Sequence, residues 1–521
     1  MTEIMNLTLE EKIGQMIGAG FDGLTPPDHL LEWLAQGRIG AVLLFGRNVR
    51  TPAQLATLTE VCHAASKYPL LIAIDQEGGM VTRLREGYTV SPGAMALAAA
   101  GDEALAYEMA HVMATELRAL GINWNFAPVV DLVYDIRNRS VGTRSLGNDP
   151  ALVSRIAAAQ IRGFQTAGVA ACAKHFPGIG RTPIDTHEAF ASIPSSADEL
   201  ENDLVPYRTA IREDVATVMV SHVQFPALDA TYPATLSPRI IGALLRDTLD
   251  FSGVTCTDDM EMKAIADHYG QGEAAVLAAL AGEDMILISH SREAQQEAYD
   301  ALLNAAQSGR LPIATIDTAV ERILALKARY PVGPQPPLSV IDSEAQRTVA
   351  QRAAEAGLVL LKREADLLPL KLSPAQRLVL VEFTTYMESD GIEQTGQSTL
   401  AAYFREAFPS ATTLKLYPDE IEAEDAAAVQ AEAQTADVLV VATRNAHLLP
   451  EQLAQTKALL ALGKPTVLLC LRNPYDADIL SGADVVLCTC GDNGPSLAAV
   501  VAALAGRVTP TGTLPVSTSE T

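Results

Sequence analysis

The chain is short of basic residues: 38 Lys and Arg stand against 63 Asp and Glu, for a formal charge of -25. A field of that sign repels phosphate backbones and anionic headgroups, which excludes nucleic acid and membrane surfaces as partners held by overall charge. Small neutral or modestly charged ligands remain. Long apolar runs are also missing, since no stretch reaches the roughly 18 uninterrupted apolar residues that a membrane span needs. The opening MTEIMNLTLEEKIGQ has acids where a secretory leader needs a basic segment, and no apolar core follows, so a cytoplasmic location is expected. Cysteine is scarce, and Cys62, Cys172, Cys256, Cys470, Cys488 and Cys490 lie mostly in apolar, strand-like runs. These read as reduced core thiols and not as a disulfide framework. Cys488 and Cys490 can share one strand face, but no second pair stands at ligand spacing, so no metal or cofactor is expected.

What is present is a large apolar fraction, 48% of 521 residues, enough for two or more domains. Eight short apolar runs recur before residue 330: IGQMIGAGF, IGAVLLFG, LLIAIDQEGG, INWNFAPVVD, VAACAKHFPG, VATVMVSH, GVTCTDD and DMILISH. They show little alternation, as strands buried on both faces do, and segments such as EALAYEMAHVMATELRAL between them are rich in helix formers. Eight such repeats predict a (β/α)8 barrel over residues 1–330. Barrels of this kind keep their chemistry at the carboxyl ends of the strands, which here carry Asp75, Asn125, Lys174 with His175, His222, and Asp258 with Asp259. PVGPQPPLSVID, residues 331–342, has linker composition. Beyond it GLVLL, RLVLVEF, ADVLVVAT, PTVLLCL and ADVVLCTC alternate with Ala- and Glu-rich segments, predicting an open, parallel, doubly wound α/β sandwich over 343–521. Its Gly/Pro turns GDNGPS and TPTGTLP match no phosphate-binding fingerprint.

The most loaded stretch is ACAKHFPGIGRTPIDTHEAF, residues 171–190. An isolated Asp-x-His is usually a pair of solvated loop residues. On the rim of a barrel it has a second reading, because Asp185 and His187 in an extended stretch point the same way and the carboxylate can accept from the imidazole Nδ1-H. The other nitrogen is then a proton carrier, and it needs a partner. Asp258, at the tip of the seventh strand, is the candidate, while Asp259 is expected to cap the helix beginning near Met260. Asp75, Glu77, Arg83 and Arg144 each have an ordinary reading as turn, cap or surface residues, but together on one rim they suit a polar monosaccharide, since carboxylates and guanidinium groups bind vicinal hydroxyls in pairs. His222 is expected to support the site structurally rather than to touch ligand.

KHFPGIGRTPIDTH, GVTCTDDMEM, DQEGG and VGTRSLG together resemble glycoside hydrolase family 3, and within it the β-N-acetylglucosaminidase branch. The resemblance implies that Asp258 is the nucleophile of a covalent glycosyl-enzyme, that His187 is the general acid/base and that Asp185 orients it. It also implies that Asp75, Arg83, Arg144, Lys174 and His175 bind the sugar. A retaining, exo-acting β-N-acetylglucosaminidase acting on a small saccharide or glycoside follows, with β-glucosidase or β-xylosidase activity of the same family as the alternative. Ile179 and Arg181 depart from the commoner Pro-Gly-His-Gly-Asp-Thr pattern. A neutral imidazole in place of an anionic acid/base would not repel an anion, so inorganic phosphate is expected to be admissible as an acceptor beside water, which makes a β-N-acetylglucosaminide phosphorylase the other alternative, with Arg181 as an added attraction if it faces the pocket.

Overall fold

A computed structural model describes residues 7–182, 190–364, 366–384, 400–417 and 421–517. Eight parallel strands close into a barrel in chain order: β1 (Ile17–Gly20), β2 (Ala41–Leu44), β3 (Leu71–Ile74), β4 (Trp124–Asn125), β5 (Ala170–Phe176), β6 (Thr217–Val220), β7 (Val254–Asp259) and β8 (Met285–Ile288). They correspond one for one to the eight apolar runs. The lack of alternation has the expected cause: on β2, Ala41 and Leu43 point to the barrel interior while Val42 and Leu44 pack outward against the helices, and all four are buried. Trp124 is the largest of the fully buried side chains, and its indole N–H donates to Thr217 Oγ1 at 2.9 Å, which satisfies its one polar atom inside the barrel.

The outer helices start where the sequence supplies caps. Asp102 accepts from the N–H groups of Ala104 and Leu105 to open Glu103–Ala119, Asp149 precedes a proline to open Pro150–Thr166, and Ser196 with Glu199 forms a capping box on Ala197–Arg212. Each cap is worth about 1 kcal/mol. The fourth strand has only two residues; the chain stays hydrogen-bonded to β5 as far as Val130 and then runs without a strand or α-helix to Asp149, before the next α-helix begins at Pro150.

The C-terminal sheet consists of β9 (Val359–Arg363), β10 (Leu378–Phe383), β11 (Thr412–Leu416), β12 (Val438–Thr443), β13 (Thr466–Cys470) and β14 (Val485–Cys488), in the order β9-β14-β13-β12-β10-β11. Helices Leu400–Ala407 and Gly494–Leu504 cover one face, packing on Leu380, Val440 and Leu487. Helices Ala423–Gln434 and Pro450–Leu460 cover the other, over Val381, Val441 and Leu468. The expectation of an all-parallel sheet fails at one edge, where β9 runs antiparallel to β14 with Val359 opposite Cys488. An apolar run such as GLVLL discloses a strand but not its direction. The edge strand β11 escaped sequence reading because TTLKL is half-exposed and lacks the continuous apolar character of its neighbours.

Barrel and sheet share one hydrophobic cluster, which joins Met95 and Ala106 beside the barrel to Val381 and Val441 in the sheet. The helix Glu344–Ala356 lies between them and packs on Glu103–Ala119 and Gly494–Leu504. All six cysteines are buried and unpaired, and no described helix is long and apolar enough to cross a membrane.

Candidate active site

The strand tips of β3 and β5 bring together an ionic cluster. Lys174, 2% exposed, reaches Asp75 Oδ1 at 2.5 Å and Glu77 Oε1 at 2.6 Å. Arg144, carried by the segment after β4, grips Glu77 with two bonds of 2.8 Å, from Nε to Oε2 and from Nη2 to Oε1, and its Nη1 donates to Ser140 O at 2.5 Å. Arg83 Nη2 lies 3.6 Å from Asp75 Oδ2. Burial opposes charge on Glu77, but Arg144 and Lys174 together outweigh it and hold the carboxyl well below the usual range. Lys174 shows the mirror image: burial disfavours its charge, while Asp75 and Glu77 raise its pKa. Arg144 and Lys174 thus keep Glu77 ionised, and Lys174 and Arg83 fix Asp75 as an acceptor facing the mouth.

His175 stands beside this cluster. Its Nδ1 donates to Asp131 Oδ2 at 2.8 Å, which leaves Nε2 to accept from Arg144 Nη2 at 3.4 Å. Asp131, fully buried, also accepts from the backbone N–H of Ile179 at 2.9 Å and so ties the segment after β4 to the loop after β5.

At the tip of β7, Asp258 and Asp259 are partly exposed. Asp258 lines one cavity with Asp75, Arg83, Phe45 and His290. Its Oδ1 accepts from the Asp259 N–H at 2.8 Å. Asp259 does not cap a helix as expected. Its Oδ1 accepts from the N–H groups of Glu261 and Ser289, both at 3.2 Å, so it closes a turn and ties β7 to β8. The helix begins later, at Lys263, with Met262 at its cap. His222 Nε2 meets Asp259 O at 2.9 Å, which gives it the supporting place expected of it.

Of the loop after β5, Asp185 and His187 lie outside the described residues. The described part ends in an anchor. Arg181 Nε donates to Asp203 Oδ2 at 2.8 Å, and its guanidinium lies 3.9 Å from the centre of the Tyr134 ring. Ile179 is buried, and Gly180 O accepts from Tyr134 N at 3.1 Å. Arg181 thus holds the loop against the helix Ala197–Arg212 and does not project into the cavity beside Asp258.

Two family models match this chain: the glycosyl hydrolase family 3 N terminal domain over residues 8–326 and the glycosyl hydrolase family 3 C-terminal domain over residues 358–521. The chain belongs to glycosyl hydrolase family 3. Among family relatives, the beta-hexosaminidase of Alkalilimnicola ehrlichii is 40% identical over 282 residues, covering 53% of this chain and 80% of that protein. The beta-hexosaminidase of Stenotrophomonas maltophilia is 40% identical over 309 residues, covering 58% of this chain and 89% of its own length. A solved family 3 β-N-acetylglucosaminidase from Paenibacillus sp. str. FPU-7 superposes over 99% of this chain and 100% of that one, with a TM-score of 0.93 and 38% identity.

In this family 3 barrel, the residues singled out from sequence fall in two layers. Asp75, Arg83 and Asp258 line the cavity. Arg144, Lys174 and His175, 8% exposed or less, sit behind Asp75 and are held by Glu77 and Asp131. Sequence reading grouped Glu77 with Asp75, Arg83 and Arg144 on the rim, without its pairing to Arg144, and passed over Asp131. A signal for Asp131 existed, since INWNFAPVVD ends the fourth apolar run on a carboxylate. Phe45, Arg47 and His290 on the cavity wall were also missed, and nothing in an isolated LLFGRN or LISHS marks them.

Proposed function

We propose that the protein is a retaining, exo-acting β-N-acetylglucosaminidase that releases a terminal β-linked N-acetylglucosamine. The observation that carries this reading is the meeting of Asp258 with Asp75 and Arg83 in one cavity, above a buried lysine, Lys174, that holds the Asp75 carboxyl in place. The names of the relatives at 38–40% identity support the choice of glycone. Asp258 attacks the anomeric carbon, and the bond to the leaving oxygen breaks as His187 delivers a proton to it. His187, oriented by Asp185, then takes a proton from water, which displaces Asp258 with net retention. Asp75 and Arg83 bind hydroxyls, with Lys174, Arg144 and His175 fixing them from behind. Catalysis is assigned to the barrel, 1–330, joined through 331–342 to the sandwich of 343–521. Arg181, committed to Asp203 and Tyr134, does not add its attraction for phosphate at the cavity, and hydrolysis, with water as the acceptor, is the reaction proposed.

Two measurements test the reading. Aryl N-acetyl-β-glucosaminide is expected to be cleaved well ahead of aryl β-glucoside or β-xyloside, with no sugar 1-phosphate formed as phosphate is raised; preference for the glucoside moves the protein to the alternative activity. Asp258→Ala is expected to lose at least roughly 10³-fold in kcat while keeping its melting temperature, because a strand-tip carboxylate contributes little packing. Near-normal turnover in the folded variant removes Asp258 from the mechanism.

A further inference from the structure

Open parallel sheets use the crevice at the carboxyl ends of their strands to bind ligands. In the C-terminal sheet that edge is built for holding something. Arg444, after β12, joins Glu382 Oε1 of β10 at 3.0 Å and Asp492 Oδ2 beyond β14 at 3.1 Å, and Arg472, after β13, joins the same Asp492 oxygen at 2.7 Å. Each of these side chains is 7% exposed or less, so the loops that leave the strand tips start from a fixed ionic base. What lies on those loops is the barrel's own chain. His447 Nε2 is hydrogen-bonded to Ile136 O at 3.1 Å, and its Nδ1 is held by Asp476 Oδ1 at 2.8 Å. Asn473 lies against Gly142, where a Cβ would come within 3.2 Å of both its amide atoms. Gly142 has a φ of +42°, a backbone conformation that favours glycine, and an added Cβ would press on the Asn473 amide.

The segment gripped in this way leads straight into the site. Ser140 O accepts from Arg144 Nη1, and Arg144 follows Gly142 by two residues. Asn138 accepts from Ser140 Oγ at 3.0 Å and Val141 N at 2.8 Å, and donates to Ile179 O at 3.0 Å, at the start of the loop whose sequence continues to Asp185 and His187. One stretch of backbone therefore sets both the Arg144 guanidinium and the root of the acid/base loop, and its outer side is held by the other domain.

We infer that the C-terminal domain is a positioning device for the barrel's active site, and that His447 and Asn473 are positioning residues that act through the 136–144 segment on Arg144. The inference rests on Arg144 belonging to the sugar site, as proposed above. A contact that only glues two domains together would lower the melting temperature and leave the kinetics of the folded enzyme unchanged. A positioning contact changes kcat/KM at temperatures where the variant is fully folded, and it couples to Arg144.

The test is a double-mutant cycle on the full chain, run on whichever aryl glycoside the wild type cleaves best, so that it survives a different glycone. His447→Ala and Asn473→Ala are each expected to lower kcat/KM roughly 5- to 30-fold with an unchanged far-ultraviolet circular dichroism spectrum. His447→Gln, which places an amide nitrogen where Nε2 stood, is expected to restore most of the loss. In an Arg144→Lys background the His447→Ala effect is expected to shrink to about twofold or less, because the guanidinium it positioned is gone. If Arg144→Lys matters but the two losses simply multiply, or if folded His447→Ala has wild-type kinetics, the inference is overturned while the site reading stands. If neither Arg144→Lys nor Arg144→Ala alters KM or kcat, the site reading fails and takes the inference with it.

Discussion

His187 and Asp258 are assigned opposite demands, and the difference is measurable at the level of one side chain. A proton donor matters in proportion to how poor the leaving group is. His187→Ala is therefore expected to lose on the order of 10²-fold or more on a phenyl glycoside and far less on a 2,4-dinitrophenyl glycoside, whose oxygen departs without protonation. Equal losses on both would show that His187 does not protonate the leaving group. The pairs assigned to the site divide by how far apart in sequence their partners lie. Asp185 and His187 are two apart, so a sequence suggests the pairing. Asp131 and His175 are 44 residues apart and meet only because β4 and β5 are neighbours in the closed sheet, and Glu77 meets Arg144 across 67 residues. Such pairs are invisible until the fold has brought the strand tips together.

Among the elements, helix Ala197–Arg212 has the clearest consequence for pH. Burial pushes the Asp203 carboxyl up to about 6, with Arg181 drawing it back only in part. Unfolded, the same group titrates near 3.9. Between pH 4 and 6 the native state thus holds a proton that the unfolded state has released, so this residue's contribution to stability falls as pH rises through that window. Asp203→Asn is expected to flatten the melting temperature against pH between 4 and 6, whatever it does to the absolute value through the lost Arg181 contact. An unchanged slope would mean that Asp203 is ionised throughout. The barrel strands were legible because burial on both faces leaves continuous apolar runs. The direction of β9 and the existence of β11 were not, since strand polarity leaves no mark on composition and an edge strand with one wet face resembles a loop.

For the whole molecule, the shared core between barrel and sheet matters more than the linker that precedes helix Glu344–Ala356. Two domains joined only by a tether unfold separately; two that bury one cluster lose it together. Heating is expected to give a single calorimetric transition in which loss of activity and loss of ellipticity coincide. Two resolved peaks, the lower without loss of activity, would show that the sheet melts away from an intact barrel.

The two-residue strand β4 has an outcome of another kind. Although β4 is two residues long, the chain stays hydrogen-bonded to β5 as far as Val130, and from there to Asp149 it is a span supported on the barrel at Asp131 and on the C-terminal domain at Ile136, Gly142 and Asn148. Away from Asp131, Asn138, Gly142 and Arg144, substitutions within it can be absorbed by neighbours, but one residue added or removed shifts every later support out of register. Within the family this stretch should vary in composition far more freely than in length.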